Sequence, residues 1–393
     1  MKRRKQLSAV QMILILCAIL AVIMVIAVVF GTGINSAELA EADVQAEIYT
    51  EDTDAYEGLT AKEAYSFSLL LKSTSCSYKN ALMEGCDAAA EKLGVTIQTQ
   101  GPNNEVDTAD QVNMLNSAVQ GDYDGIGIDP SDSEACQTSL SNAAKKGVAM
   151  VAFETAFTKA PEGTVAATIA ADHYDAGRTA GTEMWNAIRE RVMQTNGISR
   201  VILICQDAVS DSHQQRGTGF IDGLVSAAAE DDVSAEVSGN DYFVDAAETG
   251  SPEEGLALLQ IEVKVPTEPT AEMCQAEAAA ALNEEDLAGI AATGQLSSEG
   301  ILSANKNKAV LSADPMQGVV ALGFDAGEAI KAAITDGTMY GAVVQSYYEI
   351  GYNTICALTA AANGEQAVSI RIPSYFYTAD TMDDAEIAAN LYD

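Results

Sequence analysis

From Tyr65 onward the chain alternates short apolar runs with stretches of helical periodicity, and no other feature limits its fold as strongly. Phe67 to Leu71, Val95 to Gln100, Tyr123 to Ile128, Val148 to Phe153 and Val165 to Ala170 read as strands. Between them Tyr78 to Leu93, Ala109 to Val119 and Ser131 to Lys146 read as helices. The scheme then repeats. A helix from about Asp172 leads to a strand at Arg200 to Cys205 and a helix over Gly219 to Ala229. Strand Ala288 to Thr293, helix 297–306, strand Val319 to Gly323, helix 326–336 and strand 341–345 follow. Strands separated by helices of this length imply parallel sheets covered on both faces, and 393 residues are enough for two such lobes. In open α/β sheets ligands sit off the carboxyl ends of the strands, so each polar strand end is a candidate site. The stretch DGIGIDPSDSEA, Asp124 to Ala135, is one of several: its strand breaks at Asp129-Pro-Ser-Asp132, and Ser131-x-x-Glu134 has capping-box spacing.

The first 37 residues differ from the rest. Met1-Lys-Arg-Arg-Lys-Gln precedes Ala9 to Phe30, a run of 22 residues that is apolar except for Gln11. About 20 such residues cross a bilayer as a helix. The basic cluster predicts a cytoplasmic N-terminus and an extracellular remainder. The run is longer than a cleaved signal normally carries, so an uncleaved transmembrane anchor is expected in preference to a signal peptide. Residues 38–63 are acidic and poor in large aliphatics, which predicts a linker. The stretch 245–270, with two prolines and the apolar run Leu256 to Val265, breaks the alternation and reads as a surface insertion.

Charge and residue usage exclude several functions. The net charge is −36, and about −40 once the four basic residues at positions 2 to 5 are set apart, so nucleic acid is not an expected partner. Seven cysteines show no CxxC pattern, and two histidines lie on separate segments. Neither zinc nor a disulfide framework is indicated, although Cys76 and Cys86 leave one bridge open. Gly217-Thr-Gly-Phe-Ile-Asp-Gly223 is not a dinucleotide fingerprint, and there is no phosphate loop. Asp211-Ser-His213 lacks the nucleophile elbow that a triad reading requires. No enzyme activity, metal or cofactor is expected.

Landmarks along residues 65 to 380 occur together and in order. They are Ser73-Thr74 with Tyr78 and Glu84-Gly85, Asp129-Pro-Ser-Asp-Ser133, Glu154 after VAMVAF, and Ala170-Ala-Asp172. Arg216-Gly-Thr-Gly-Phe220, Gly323-Phe-Asp325 and Gln345 complete the set. With these the chain resembles the type I periplasmic binding proteins of the ribose and galactose class, the solute-binding components of sugar ABC transporters. The resemblance implies two Rossmann-like α/β lobes with parallel sheets, joined by a three-segment hinge and closing on a ligand. Lobe one would be 64–171 plus 346–374, and lobe two 172–345 plus 375–393. The hinge would fall at Ala171/Asp172, at Gln345/Ser346 and after Ser374. Ligand contacts carried over by position are Tyr78, Glu154, Arg216, Asp325 and Gln345, while Asp132 is expected to cap a helix. The chain departs from the ribose-type pocket at Thr155, where an arginine is usual, and at Gly294-Gln295, where an asparagine is usual. Lys79 stands for a second aromatic, and Cys76/Ser77 for an amide residue. Thr155, Gly294 and Gln295 therefore join the candidate site, with Gln214 and His213 as further candidates.

The partner expected from the resemblance is a monosaccharide or similar small polyol, passed to an ABC permease. A membrane-anchored sensor that passes closure to a receptor or histidine kinase is the alternative. Repressors of the same fold are excluded, because they carry a DNA-binding helix-turn-helix where this chain has its apolar segment.

Overall fold

The computed structural model describes residues 49–195, 197–247 and 258–393. The chain opens with β1 (Tyr49–Thr50), then β2 (Ser66–Leu70), α1 (Lys79–Leu93), β3 (Thr96–Gln100), α2 (Thr108–Gln120) and β4 (Gly125–Ile128). α3 (Ser133–Lys146), β5 (Ala149–Phe153) and β6 (Ala167–Ala171) follow. It then enters a second unit with α4 (His173–Gln194), β7 (Ser199–Ile204), α5 (Asp211–Ala229), β8 (Ser234–Gly239), α6 (Asp241–Ala246), β9 (Leu258–Lys264) and α7 (Ala271–Ala281). β10 (Leu287–Ala292), α8 (Gln295–Lys308), β11 (Val320–Phe324), α9 (Glu328–Thr335) and β12 (Gly341–Gln345) continue it. The chain returns to the first unit for α10 (Tyr347–Ala362) and β13 (Ser369–Ile372) and ends in the second with β14 (Ser374–Thr378) and α11 (Ala385–Ala388).

Two seven-stranded sheets result, ordered β1-β13-β6-β5-β4-β2-β3 and β14-β12-β11-β10-β7-β9-β8. All pairs are parallel except β12 with β14. The central strands GIGI, LAGIAA and VALGF are buried at every residue, as strands covered on both faces must be. Each sheet and its helices form one α/β lobe. The chain passes between the sheets after Ala171, after Gln345 and at Pro373. Ser374, expected to close lobe one, instead pairs with Gln345 inside the second sheet.

Glycines set how closely the helices approach. Gly177 and Gly181 on α4 face the backbone of α5, and Gly219 and Gly223 on α5 face that of α4. A Cβ at any of the four would overlap a carbonyl oxygen, of Arg216, Phe220, Tyr174 or Arg178 respectively. Lobe one has a shorter version, in which Gly85 on α1 lies against the Tyr348 carbonyl and Gly351 on α10 against that of Leu82.

Four expectations need correcting. Residues 49–63 are not a free linker: β1 pairs with β13, and the Tyr56 hydroxyl both donates to Val368 O (2.9 Å) and accepts from Val368 N (2.7 Å). Tyr56→Phe removes both bonds and is expected to cost about 1–2 kcal/mol, a loss of a few degrees in thermal midpoint. The run within the expected insertion is β9, held between β7 and β8 with Leu259, Ile261 and Val263 buried; residues 248–257 lie outside the described residues. The helix expected at Gly219 begins at Asp211. The α3 cap is Asp132, whose carboxylate accepts from Glu134 N and Ala135 N, so Ser131 does not form a capping box.

Cys76 and Cys86 are both free. Among the described residues no helix is long and apolar enough to cross a membrane; the expected span Ala9 to Phe30 lies outside those residues, as do positions 38–48 of the linker.

Candidate functional site

Strand ends from both sheets deliver polar side chains to one cleft of about 460 Å³, within the usual range for small-ligand sites. From lobe one come Lys72 just past β2, Tyr78 before α1, Glu105, Glu154 after β5, and Tyr347 opening α10. From lobe two come Gln206 after β7, His213 and Arg216 on α5, Gly294 and Gln295 after β10, and Asp325 after β11.

The centre is ionic and buried. Arg216 Nη2 lies 2.8 Å from Glu154 Oε1, and its Nη1 donates to Thr293 O at 3.0 Å. The guanidinium stacks on the Phe324 ring, 5.0 Å from its centroid. Lys72 Nζ stands 3.6 Å from Glu154 and 3.5 Å from Asp129, and it donates to Thr155 Oγ1 at 2.9 Å and Ser210 Oγ at 3.2 Å. Burial opposes the charge on Glu154, yet Lys72 and Arg216 hold its carboxyl well below the usual range. Burial opposes the Lys72 charge too, and Asp129 and Glu154 raise its pKa above normal. Asp129 is pushed up to about 7 by burial, against the pull of Lys72. Burial also raises the Asp325 carboxyl, Arg216 opposing.

Glu154 (φ 58°) and Asp325 (φ 71°) both occupy left-handed backbone, which L-residues rarely adopt. Two acids so placed, one from each lobe and both facing the cleft, make it the candidate functional site.

His173 locks the Arg216 orientation. Arg216 can only donate, so His173 Nδ1 (3.3 Å from Nε) accepts, and its Nε2–H donates to Glu154 O at 2.6 Å. Burial, with Arg216 beside it, lowers the His173 pKa to about 4; burial lowers that of His213 to about 4. Both values lie below the unfolded one near 6.5. The unfolded chain therefore takes up these protons first, and the stability tied to the neutral rings is lost as pH falls from about 6.5 toward 4. Proton NMR of the two imidazoles is expected to show neutral rings at pH 5.5; protonation near 6.5 would contradict the burial described.

The structure brings Tyr78, Glu154, Arg216, Gly294, Gln295 and Asp325 to the cleft wall. Thr155 and Gln345 stand behind it. Thr155 Oγ1 donates to Glu154 at 2.5 Å. Gln345 Nε2 donates to the Tyr347 hydroxyl, which donates to Asp325 Oδ1, each at 2.9 Å. Gln214 turns away to Ala208 O. At the first passage between lobes, Asp172 caps α4 through Asp175 N and pairs with Arg371; Ser346 stands at the start of α10.

Three of the four departures from the ribose-type pattern have a neighbour that supplies related chemistry. Beside Thr155 the cation is Lys72. In place of a ring at Lys79, Tyr347 stacks on Tyr78 with centroids 4.3 Å apart and planes 7° from parallel. Where Gly294 has no side chain, the Gln206 amide moves in: a Cβ there would stand 2.7 Å from Gln206 Oε1. Lys72 and Gln206 each follow an apolar run directly, the one signal in the sequence that could have found them. Contacts that cross between the lobes include Glu154 with Arg216 and His173, Lys72 with Ser210, Thr155 with Ser212, Glu105 with Gln206, Ser77 with Gln295, and Tyr347 with Asp325.

Two parallel α/β lobes that turn their strand ends toward one buried polar cleft define a two-lobed ligand-binding protein. A family model described as periplasmic binding protein domain matches residues 67–366, and the chain belongs to that family. Among solved structures it is similar to an ABC transporter solute-binding protein from Agrobacterium vitis with bound D-fucose (22% identity, TM-score 0.68, 83% of this chain and 100% of that one). It is also similar to a carbohydrate transporter solute-binding protein from Agrobacterium radiobacter in complex with D-arabinose (22%, 0.67, 84% and 100%). A third is an Agrobacterium vitis solute-binding protein bound with α-D-tagatopyranose (19%, 0.69, 84% and 99%). No curated protein matches the sequence.

Proposed function

We propose that the protein is an exported, non-catalytic binder that captures a monosaccharide or similar polyol between its lobes and delivers it to an ABC permease. The observation that carries this reading is the Glu154–Arg216–Asp325 arrangement, in which carboxylates and a forked donor from both lobes meet at a buried cleft beside the Tyr78–Tyr347 wall. Sugar hydroxyls donate and accept together, which suits acids and a guanidinium placed side by side. Contacts that already run between lobes supply a means of closure on the ligand. The three solved neighbours hold sugars in their own structures. The Asp211-Ser-His213 segment supports a non-catalytic role: Ser212 Oγ turns to Ser210 at 2.9 Å, while His213 Nδ1 meets Thr293 at 3.0 Å. No nucleophile–base pair forms there.

The test is thermal stabilisation of the purified full-length chain by millimolar pentoses, hexoses, ketoses, deoxy and amino sugars, and inositols. A ligand at a hundred times its Kd adds about 2.7 kcal/mol. A shift from one class, lost in Asp325→Ala, is the expected result. A panel with no shift would overturn the reading.

A further inference from the structure

The cleft lining is unbalanced in charge. Its cations are Lys72 and Arg216, whereas its acids are Glu105, Glu154, Glu272, Glu299 and Asp325, with Asp129 against Lys72 just behind. Both cations are already engaged, Lys72 between Asp129 and Glu154 and Arg216 on Glu154. Among the described residues neither Glu105 nor Asp325 forms an ion pair.

An independent sign comes from Gln206, which is 3% exposed. Its Nε2 donates to Glu105 Oε2 at 3.0 Å, which fixes the amide with Oε1 turned toward Gly294. That buried Oε1 accepts no hydrogen bond. It lies against Gly294 in the cleft wall, where any side chain at 294 would crowd it. A buried amide oxygen without a donor costs about 1–3 kcal/mol, and buried carboxylates without cations are costly as well. Burial raises the Glu105 pKa to about 7, so a cation seated beside it would draw off its proton; this corner thus offers acceptors and a carboxyl ready to ionise. A hydroxyl has a single hydrogen to give to these acceptors, whereas an ammonium is all donor and positively charged.

We propose that the ligand carries a protonated amino group beside its hydroxyls, as an amino sugar does, and that the ammonium seats between the Glu105 carboxylate and Gln206 Oε1. Arg216, Glu154 and Asp325 then hold the hydroxyls. This rests on the sugar-binding reading above and narrows it. The nearby Lys72 charge does not oppose the seat strongly, because two carboxylates flank it.

Calorimetric titration of the full-length chain tests this with D-glucosamine and D-galactosamine, their neutral parents D-glucose and D-galactose, the N-acetyl forms, and putrescine. At least one amino sugar is expected to bind tenfold or more tightly than its parent and its N-acetyl form. That ratio is expected to fall toward one in Glu105→Gln, whose folding is checked by circular dichroism. Neutral sugars binding as tightly as the amines would overturn the inference and leave sugar capture standing. Binding of putrescine alone, or of nothing, would overturn both.

Discussion

Arg216→Met is expected to abolish ligand-induced stabilisation and to lower the stability of the free protein at the same time. The guanidinium has three protein partners, Glu154, Thr293 O and His173, and a ring beneath it. Removing one member of a buried ion pair costs about 3–5 kcal/mol, because the other charge stays buried. Here Lys72 still stands 3.6 Å from Glu154, so the cost is expected near the lower end. For ligand affinity the fork itself matters, and a loss of roughly a hundredfold or more is expected. Arg216→Lys restores charge without the fork and is expected to recover stability more than affinity. Titration with the best ligand of the wild-type protein, beside denaturant unfolding, separates the two effects. Unchanged affinity in Arg216→Met would remove Arg216 from the binding site.

The second large effect is expected far from the cleft. In an open helix, Gly→Ala stabilises by about 1 kcal/mol through propensity. At Gly181 the sign should reverse, because the added Cβ overlaps the Phe220 carbonyl, which cannot rotate away as a side-chain tip would. Overpacking costs about 1–3 kcal/mol, occasionally more. Gly181→Ala is therefore expected to lose about 2 kcal/mol net, and Gly181→Leu more than twice that. Spreading α4 from α5 also separates His173 from Arg216, since these lie on the two helices. Urea unfolding gives the first number, and the His173 imidazole resonance reports the second. A stable Gly181→Leu variant would show that the helices are not held at this distance by the glycines.

Most of the two sheets could be read in the sequence, because strands covered on both faces must be continuously apolar. The parts that escaped have other physical signatures. β9 alternates, with Leu259, Ile261 and Val263 inward and Gln260, Glu262 and Lys264 half-exposed, and it follows a proline- and glutamate-containing stretch. The first turns of α5, DSHQQR, look like loop because they are polar; Asp211, Ser212, His213 and Arg216 are nonetheless buried, and His213 and Arg216 line the cleft. Residues 49–63 attach through a two-residue strand, the Tyr56 hydroxyl and bonds from Thr60 and Lys62 to Asn363 and Glu365, none of which makes a pattern in the sequence. In the site, Glu154 and Asp325 were legible as acids ending apolar runs. Tyr347 was not, since only the fold brings the start of α10 against Tyr78.

Glu154 and Asp325 also bear on how such a protein could change under selection. Left-handed backbone costs an L-residue about 1–2 kcal/mol, and glycine is free of that cost. At 154 the ion pair with Arg216 outweighs the relief, so the acid is retained on stability grounds alone. At 325 the carboxylate has no such pair: Asp325→Gly would shed both strain and a buried acid, and the Tyr347 hydroxyl, losing its acceptor, would keep the Gln345 amide as a partner. Breeding this protein for heat tolerance, with no demand that it bind anything, would therefore draw position 325 toward glycine. Its aspartate persists only under a requirement for use.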